Sequence, residues 1–486
     1  VDPFLQYFYT SLPFIVVLTM AAVLVVGMGL GLIWPRLLVY PYLGIFFLMN
    51  STNYGSLAMY ATPGVYSRGS GLLFFPLVLW YMLGAWCCAR VAASYQRAPG
   101  TFNTLRPWFW AWFLLLLGHV AVALFMGKKL SEALAPTGFS NIVWMAPLIS
   151  LMLMSFRTRE QVTELTRFIL LAGLGRATFG LARWAVLGGD PNNVYANMNA
   201  IKIKLTFFDI NDSLLCCVAF SIAAVHLFQM ARTERPKFWV AIEWMTLAST
   251  AMCIVLSYRR TAWIGFLLAF AIVMMRFPVR RRFHLMVMGL PAVGAALMYV
   301  MIKRFSQTKG ATGGLDSMFY DMESRRFGAE SERVLELKLA LADFLSNPVT
   351  GIGSWGRYTG YQRISWQANP EGGQFLHSGV LHVALKSGLL GLALFIGLAW
   401  AFIAFARRAL RELPPEYIGL GTAGVAGVAF MLPDILIGTP IPQVRTTQML
   451  AICMALPYVA MAVSKVAQTA QQASPVRRYG LNLVHV

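Results

Sequence analysis

Long apolar runs dominate the chain and restrict what it can become. Runs able to span a bilayer occur at 12–34, 71–93, 107–126, 141–156, 165–188, 213–231, 238–256, 261–277, 283–302, 380–406, 418–437 and 447–464. A helix needs about 20 apolar residues to cross a hydrocarbon core roughly 30 Å thick. Inside lipid every backbone polar group must be satisfied within the protein, which favours helices for runs of this length. A further run at 37–49 is short and carries Pro41, and it reads as a re-entrant or interfacial piece. The expected fold class is therefore all-α, a polytopic integral membrane protein with about 12 transmembrane helices. Residues 1–302 hold about nine spans, and 303–376 form one large helical loop between spans 9 and 10. Residues 377–464 hold the last three spans, and 465–486 form a tail. Only 12% of the residues are charged, against about 25% in soluble domains, which excludes a chain living wholly in water. Val1 rather than Met opens the sequence, leaving room for a preceding leader.

Lys and Arg number 40 against 20 Asp and Glu. Six basic clusters fall between alternate spans, around Arg90–Arg106, Arg157–Arg167, Arg232–Lys237, Arg276–Arg282, Arg407–Arg411 and Lys465–Arg478. Alternation puts them on one face, which the positive-inside rule makes cytoplasmic, together with both termini. No basic soluble domain is visible, so nucleic acid is not an expected partner. All six cysteines lie within apolar runs and read as small packing residues, with neither metal spacing nor a disulfide framework. The string Gly351, Gly353, Gly356 spells G-x-G-x-x-G, but it follows a helix and precedes a polar loop, the wrong context for a nucleotide.

The opposite face receives 50–70, 189–212, the Ser257–Arg260 turn, the 303–376 loop and the loop near Asp434–Arg445. Within the loop, Val334, Leu337, Leu341 and Leu345 recur at helical spacing across Glu330–Ser346, and Asn347-Pro348 ends that helix. Several cations on this face are not needed for topology. Arg259 and Arg260 begin a span, where the helix dipole favours anions; a bound anion would relieve them, and snorkelling to the interface is the alternative. Lys202 and Lys204 precede Asp209 and Asp212, which could pair with them. Arg325, Arg326 and Arg333 share the loop with Glu330, Glu332 and Glu336 and suit a solvated face. Arg176, Arg183 and Lys386 lie within spans, where ionisable groups line cavities or pair; Glu243 is a candidate partner for Arg176, and Arg183 is the better functional candidate. His119 and His226 sit in apolar spans as core residues. His377 stands where loop meets span, and an imidazole there suits proton transfer near neutral pH.

His377-Ser378, nine residues, Gly388, two residues, Gly391-Leu392 is similar to the signature of the O-antigen ligase and O-antigen polymerase superfamily. Ser257–Trp263 resembles the family's arginine-bearing helix start, with Arg260 in the arginine place and Arg259 where Ser is usual. Ser331–Arg333 through Asn347-Pro348 to Gly351–Gly353 is similar to its loop helix and Pro-x-x-Gly-x-Gly turn. Asn211-Asp212 fits an Asn-rich motif loosely. The resemblance covers roughly 200–405.

That resemblance implies an inverting, metal-independent glycosyltransferase with no cofactor. It would move O-antigen polysaccharide from undecaprenyl pyrophosphate to a sugar of the lipid A core at the periplasmic face of the inner membrane. Its partners would be the undecaprenyl-pyrophosphate-linked glycan, the lipid A core acceptor and the lipid bilayer. His377 would be the catalytic base or a pyrophosphate ligand, and Arg260 would stabilise the leaving group. Arg259, Arg183, Lys204 and Arg333 would help bind pyrophosphate, which arginine can grip bidentately. Gly388 and Gly391 would permit close helix packing. Rival readings are an O-antigen polymerase, a protein O-oligosaccharyltransferase and, from another class, a glycolipid transporter or flippase.

Overall fold

The computed structural model describes residues 22, 25–48, 75–95, 103–191, 204–229, 235–306, 329–365, 367–368 and 372–473. Most of the 12–34 run, the 50–70 segment, Lys202, Arg325, Arg326 and residues 474–486 of the tail lie outside them, whereas residues 465–473, expected as tail, are helical. The described residues are helical, with no strand. The elements are α1 (Arg36–Leu48), α2 (Leu77–Tyr95), α3 (Arg106–Phe125), α4 (Ser140–Ser155), α5 (Arg159–Val186), α6 (Ile210–Gln229) and α7 (Lys237–Val255). They continue with α8 (Arg260–Met274), α9 (Val279–Ser306), α10 (Ala329–Ser346), α11 (Gly379–Glu412), α12 (Pro415–Ile437) and α13 (Val444–Ala473). Among the described residues, eight helices are long and apolar enough to cross a membrane: α2, α3, α5, α6, α7, α11, α12 and α13. The expected spans at 141–156 and 261–277 are the shorter apolar helices α4 and α8, of 16 and 15 residues. The chain is an all-α, multi-pass membrane protein.

Boundaries follow local chemistry. Thr158 and Gln161 form a capping box at the start of α5, satisfying two of its orphan donors. Ser378 caps α11, accepting from the Leu381 N–H at 3.3 Å. Pro107 and Pro415 sit in the first turns of α3 and α12, where a missing N–H costs nothing. At the centre α6 is buried almost all round, its Cys216 and Cys217 packed as apolar residues; Cys87, by contrast, is exposed. Around α6 lie α5, α7 and α12, and α12 packs most closely on α8 and α13. A Cβ on Gly265 would come within 2.1 Å of the Phe430 carbonyl, so α8 and α12 meet backbone to backbone.

Two ends of the bundle differ in chemistry. At the arginine-rich end Arg159 pairs with Glu416 at 3.2 Å and Arg36 with Glu164 at 3.2 Å. Glu243 also belongs there: it accepts from Arg235 at 2.6 Å and lies 2.9 Å from His226 Nδ1. The candidate pair Glu243–Arg176 is therefore not formed; Arg176 bonds Asp212 instead, at 3.1 Å. His226 is thus a hydrogen-bonded, half-buried residue, whereas His119 packs edge-on against Phe139. From Arg36 at this end, α1 runs beside α5 until its Leu48 carbonyl accepts from Arg176 at 3.0 Å. Twelve residues at 1.5 Å each make that path about 18 Å, short of a full crossing but deeper than an interfacial piece.

At the same depth Arg445 Nε and Nη2 donate to the Phe46 carbonyl at 3.1 and 2.9 Å. A helix that ends inside a membrane leaves its last carbonyls unsatisfied; two arginines fill that need for α1.

The motif glycines make a second irregular element. Within α11, Gly388 has φ 65 and ψ −161, which breaks the helix. The freed groups pair with the turn after α10: Leu389 N–H donates to Pro348 O at 2.7 Å, and Ile352 N–H donates to Leu385 O at 2.8 Å. A Cβ on Gly388 would lie 2.1 Å from Val349 O, and one on Gly351 (φ 68) would lie 2.4 Å from Leu385 O. The close approach involves a loop rather than a neighbouring helix, and it ties α10 to α11.

Candidate active site

The site lies at the end opposite the arginine clusters, where α10 rests on the N-terminal part of α11. One face of α10 packs on a small core of Ala340, Tyr358, Ile364, Leu376 and Leu385. That packing buries Glu336 completely. Its Oε2 accepts from the His377 backbone N–H at 3.0 Å and lies 2.9 Å from His377 Nδ1. Its Oε1 accepts from Gln367 Nε2, which also donates to the Phe375 carbonyl at 3.0 Å. The Gln367 carbonyl oxygen takes the Gly373 N–H at 2.7 Å. A carboxylate only accepts hydrogen bonds, so the ring carries its proton on Nδ1, toward Glu336. The His377 side chain is one-fifth exposed while Glu336 is fully enclosed. Burial, with the Glu336 charge behind it, pushes the neighbouring Tyr358 phenol well above its ordinary range.

Facing this pair is the end of α12. Asp434, buried in its last turn, interacts electrostatically with Arg259, Asp209 and His377. Asp434 is thus within electrostatic range of the α11 start, the α8 start and the residue before α6. Arg259 forms the N-cap of α8, which has neither a capping side chain nor an acid in its first turn. Its guanidinium lies 5.3 Å from the Phe208 ring centre. Arg260 begins α8, half-buried like Arg259. Before them Tyr258 has φ 53, a left-handed conformation uncommon for a bulky side chain and of the kind held at functional sites.

Lys204 is exposed on the short segment leading into α6, and the next residue's carbonyl accepts from Asp190 N–H at 2.8 Å. Arg333 lies one turn before Glu336 on α10, so the two share a helix face. Arg183 is deeply engaged: it donates to Asp190 at 2.7 Å and to the Thr206 carbonyl, between the rings of Phe179 and Phe207. Lys386 is buried and donates to the Gly356 carbonyl.

Both His377 and Arg259 thus lie within electrostatic range of Asp434, with Arg260 next in chain. Glu336, Asp434 and Arg445 are residues that reading the chain missed. Arg445 bonds Asp209 and Asp212, each at 2.7 Å, and Asp212 also takes Arg176. An acid three residues after a loop arginine looks like an ordinary surface pair, and only the fold turns Glu336 inward. The intramembrane depth of Arg176, by contrast, did announce a buried partner.

Chemically, a cation pair at an uncapped helix start suits an anion, and an imidazole backed by a carboxylate suits proton abstraction. No curated protein matches the chain. Residues 245–396, from α7 to the middle of α11, match the family model described as O-antigen ligase (Wzy_C). That stretch, which contains Arg259, Arg260, Arg333, Glu336 and His377, is similar to the O-antigen ligase family.

Proposed function

We propose that the protein transfers a polysaccharide from undecaprenyl pyrophosphate to a sugar hydroxyl of the lipid A core, at the periplasmic face of the inner membrane. The observation that carries this reading is the Glu336–His377 pair at the same end of the bundle as the Arg259–Arg260 helix start. His377 Nε2 takes the proton of the acceptor hydroxyl as its oxygen attacks the anomeric carbon. The bond from that carbon to the pyrophosphate oxygen breaks with its electrons leaving on the phosphate, and the configuration inverts. Glu336 holds the tautomer and stabilises the imidazolium formed. Arg260 and Arg259 stabilise the charge that grows on the leaving group, which fixed cations do better than water in a partly dry site. Lys204 and Arg333 extend the cationic rim, and Arg183 holds Asp190 and the Thr206 carbonyl together.

The test is a purified-component reaction in liposomes, with lipid-linked glycan and lipid A core and neither nucleotide nor ion gradient. Glycan joined to lipid A core is the expected product. Glycan joined to a second lipid-linked glycan would make the protein a polymerase, and movement of the donor across the bilayer without transfer would make it a transporter.

A further inference from the structure

The face of α10 turned away from Glu336 carries an apolar stripe that stays exposed among the described residues. Val334, Leu341, Leu345 and, in the following turn, Val349 are 52%, 45%, 65% and 59% exposed. Leu345 stands nine residues from Glu336, or half a turn round the helix. A soluble loop helix would not leave such a row in water.

Its position explains it. Val349 belongs to the turn that hydrogen bonds into the break of α11, beside Leu389 and Leu390, themselves 53% and 51% exposed. Leu389 begins the apolar part of α11 that carries Ile396 and Trp400, 59% and 66% exposed, on its outer surface. Nineteen residues separate Gly388 from Arg407 in the arginine-rich cluster, about 28 Å of helix, close to one hydrocarbon thickness of roughly 30 Å. The turn and the end of α10 therefore lie at the far boundary of the hydrocarbon, and the stripe continues the lipid-facing surface of α11 without interruption. Lys338, exposed on the same side of α10, is long enough to reach headgroup phosphates from there.

We infer that α10 is a membrane-docked interfacial helix, with Leu341, Leu345 and Val349 seated among acyl chains of the bilayer while the reverse face holds Glu336 against His377. The bilayer is then part of what positions the carboxylate. This inference does not depend on the transfer reaction, and its test uses no activity.

Single nitroxide labels placed by Leu345→Cys and Val349→Cys, in full-length protein with Cys87→Ser and reconstituted in liposomes, report access to oxygen, which partitions into lipid, and to a water-soluble nickel chelate. Ile396→Cys gives the lipid reference and Gln362→Cys, exposed on the loop, the water reference. Labels at 345 and 349 are expected to match Ile396→Cys in oxygen access, with nickel access several-fold below Gln362→Cys. Nickel access equal to that of Gln362→Cys would overturn the inference. Shielding from both reagents would overturn it too, by putting protein against the stripe. If either variant fails to fold, Leu341→Cys carries the same comparison.

Discussion

A histidine held at Nδ1 by a fully buried carboxylate is a different reagent from a histidine in water. The Glu336–His377 contact of 2.9 Å, doubled by the backbone N–H of His377 at 3.0 Å, sets both the tautomer and the ring plane. His377→Ala should lower kcat for transfer about 10²–10⁴-fold, the usual contribution of a general base, in protein that still elutes as a folded species in detergent. Glu336→Gln keeps the shape but removes the charge that stabilises imidazolium, so it should lower kcat by less and leave the donor KM unchanged; a change confined to KM would make Glu336 a binding residue. Arg260→Ala should lower kcat/KM about 10²–10³-fold, as loss of one fixed stabiliser of developing charge does, and Arg260→Lys should recover only part of it because lysine lacks the fork. The exposed Arg363 is the control, and an equal loss in Arg363→Ala would reduce the effect to general electrostatics. The histidine and the arginine pair were legible in the chain because each stands at a loop–span boundary where topology does not require it. Glu336 was not: its partner is 41 residues away, and its charge pattern matches that of any solvated helix.

Elements showed through the chain far better than contacts did. The apolar runs lie within a few residues of α2 through α9 and α11 through α13, and the amphipathic run at Glu330–Ser346 is α10, because burial in lipid leaves a strong and simple signal. The helix break at Gly388 gave no such signal, since one glycine in an apolar run reads as a packing site. Its geometry makes a sharp prediction. Gly388→Ala would force a side chain into a left-handed φ, costing roughly 1–2 kcal/mol, and would drive a Cβ to 2.1 Å from the Val349 carbonyl. It should lower the thermal midpoint in detergent and free the α10 turn to protease, whereas Gly289→Ala, with open space around it, should do neither. Protection equal to the parent protein in Gly388→Ala would mean that the turn is not held by the break.

For the whole molecule the governing feature is a charge network that joins distant parts of the chain. Arg445 on α13 reaches Asp209 and Asp212 at the start of α6, and also the Phe46 carbonyl at the end of α1. Asp212 is shared with Arg176 of α5, whose own guanidinium donates to the Leu48 carbonyl. Four segments thus meet at one buried set of charges, and the same Asp209 lies within electrostatic reach of Asp434 in the site. Lys202 and Lys204, the nearest cations in sequence, are candidate partners of Asp209 and Asp212, and Lys202 lies outside the described residues. The fold supplies both acids with an arginine more than 230 residues downstream, which no local pattern announces. Such networks are costly to break by halves, because removing one member leaves a buried charge uncompensated, at about 3–5 kcal/mol. Arg445→Met removes a counter-charge of Asp209, one of those of Asp212, and the cap of α1 together. It should therefore destabilise the protein in detergent by that amount, and adding Asp209→Asn should recover part of the loss. The recovery is the informative measurement. A double variant no more stable than Arg445→Met would mean that the charge pair contributes nothing and that the α1 cap alone accounts for the arginine. Full recovery would mean the reverse, that α1 can end at membrane depth without it.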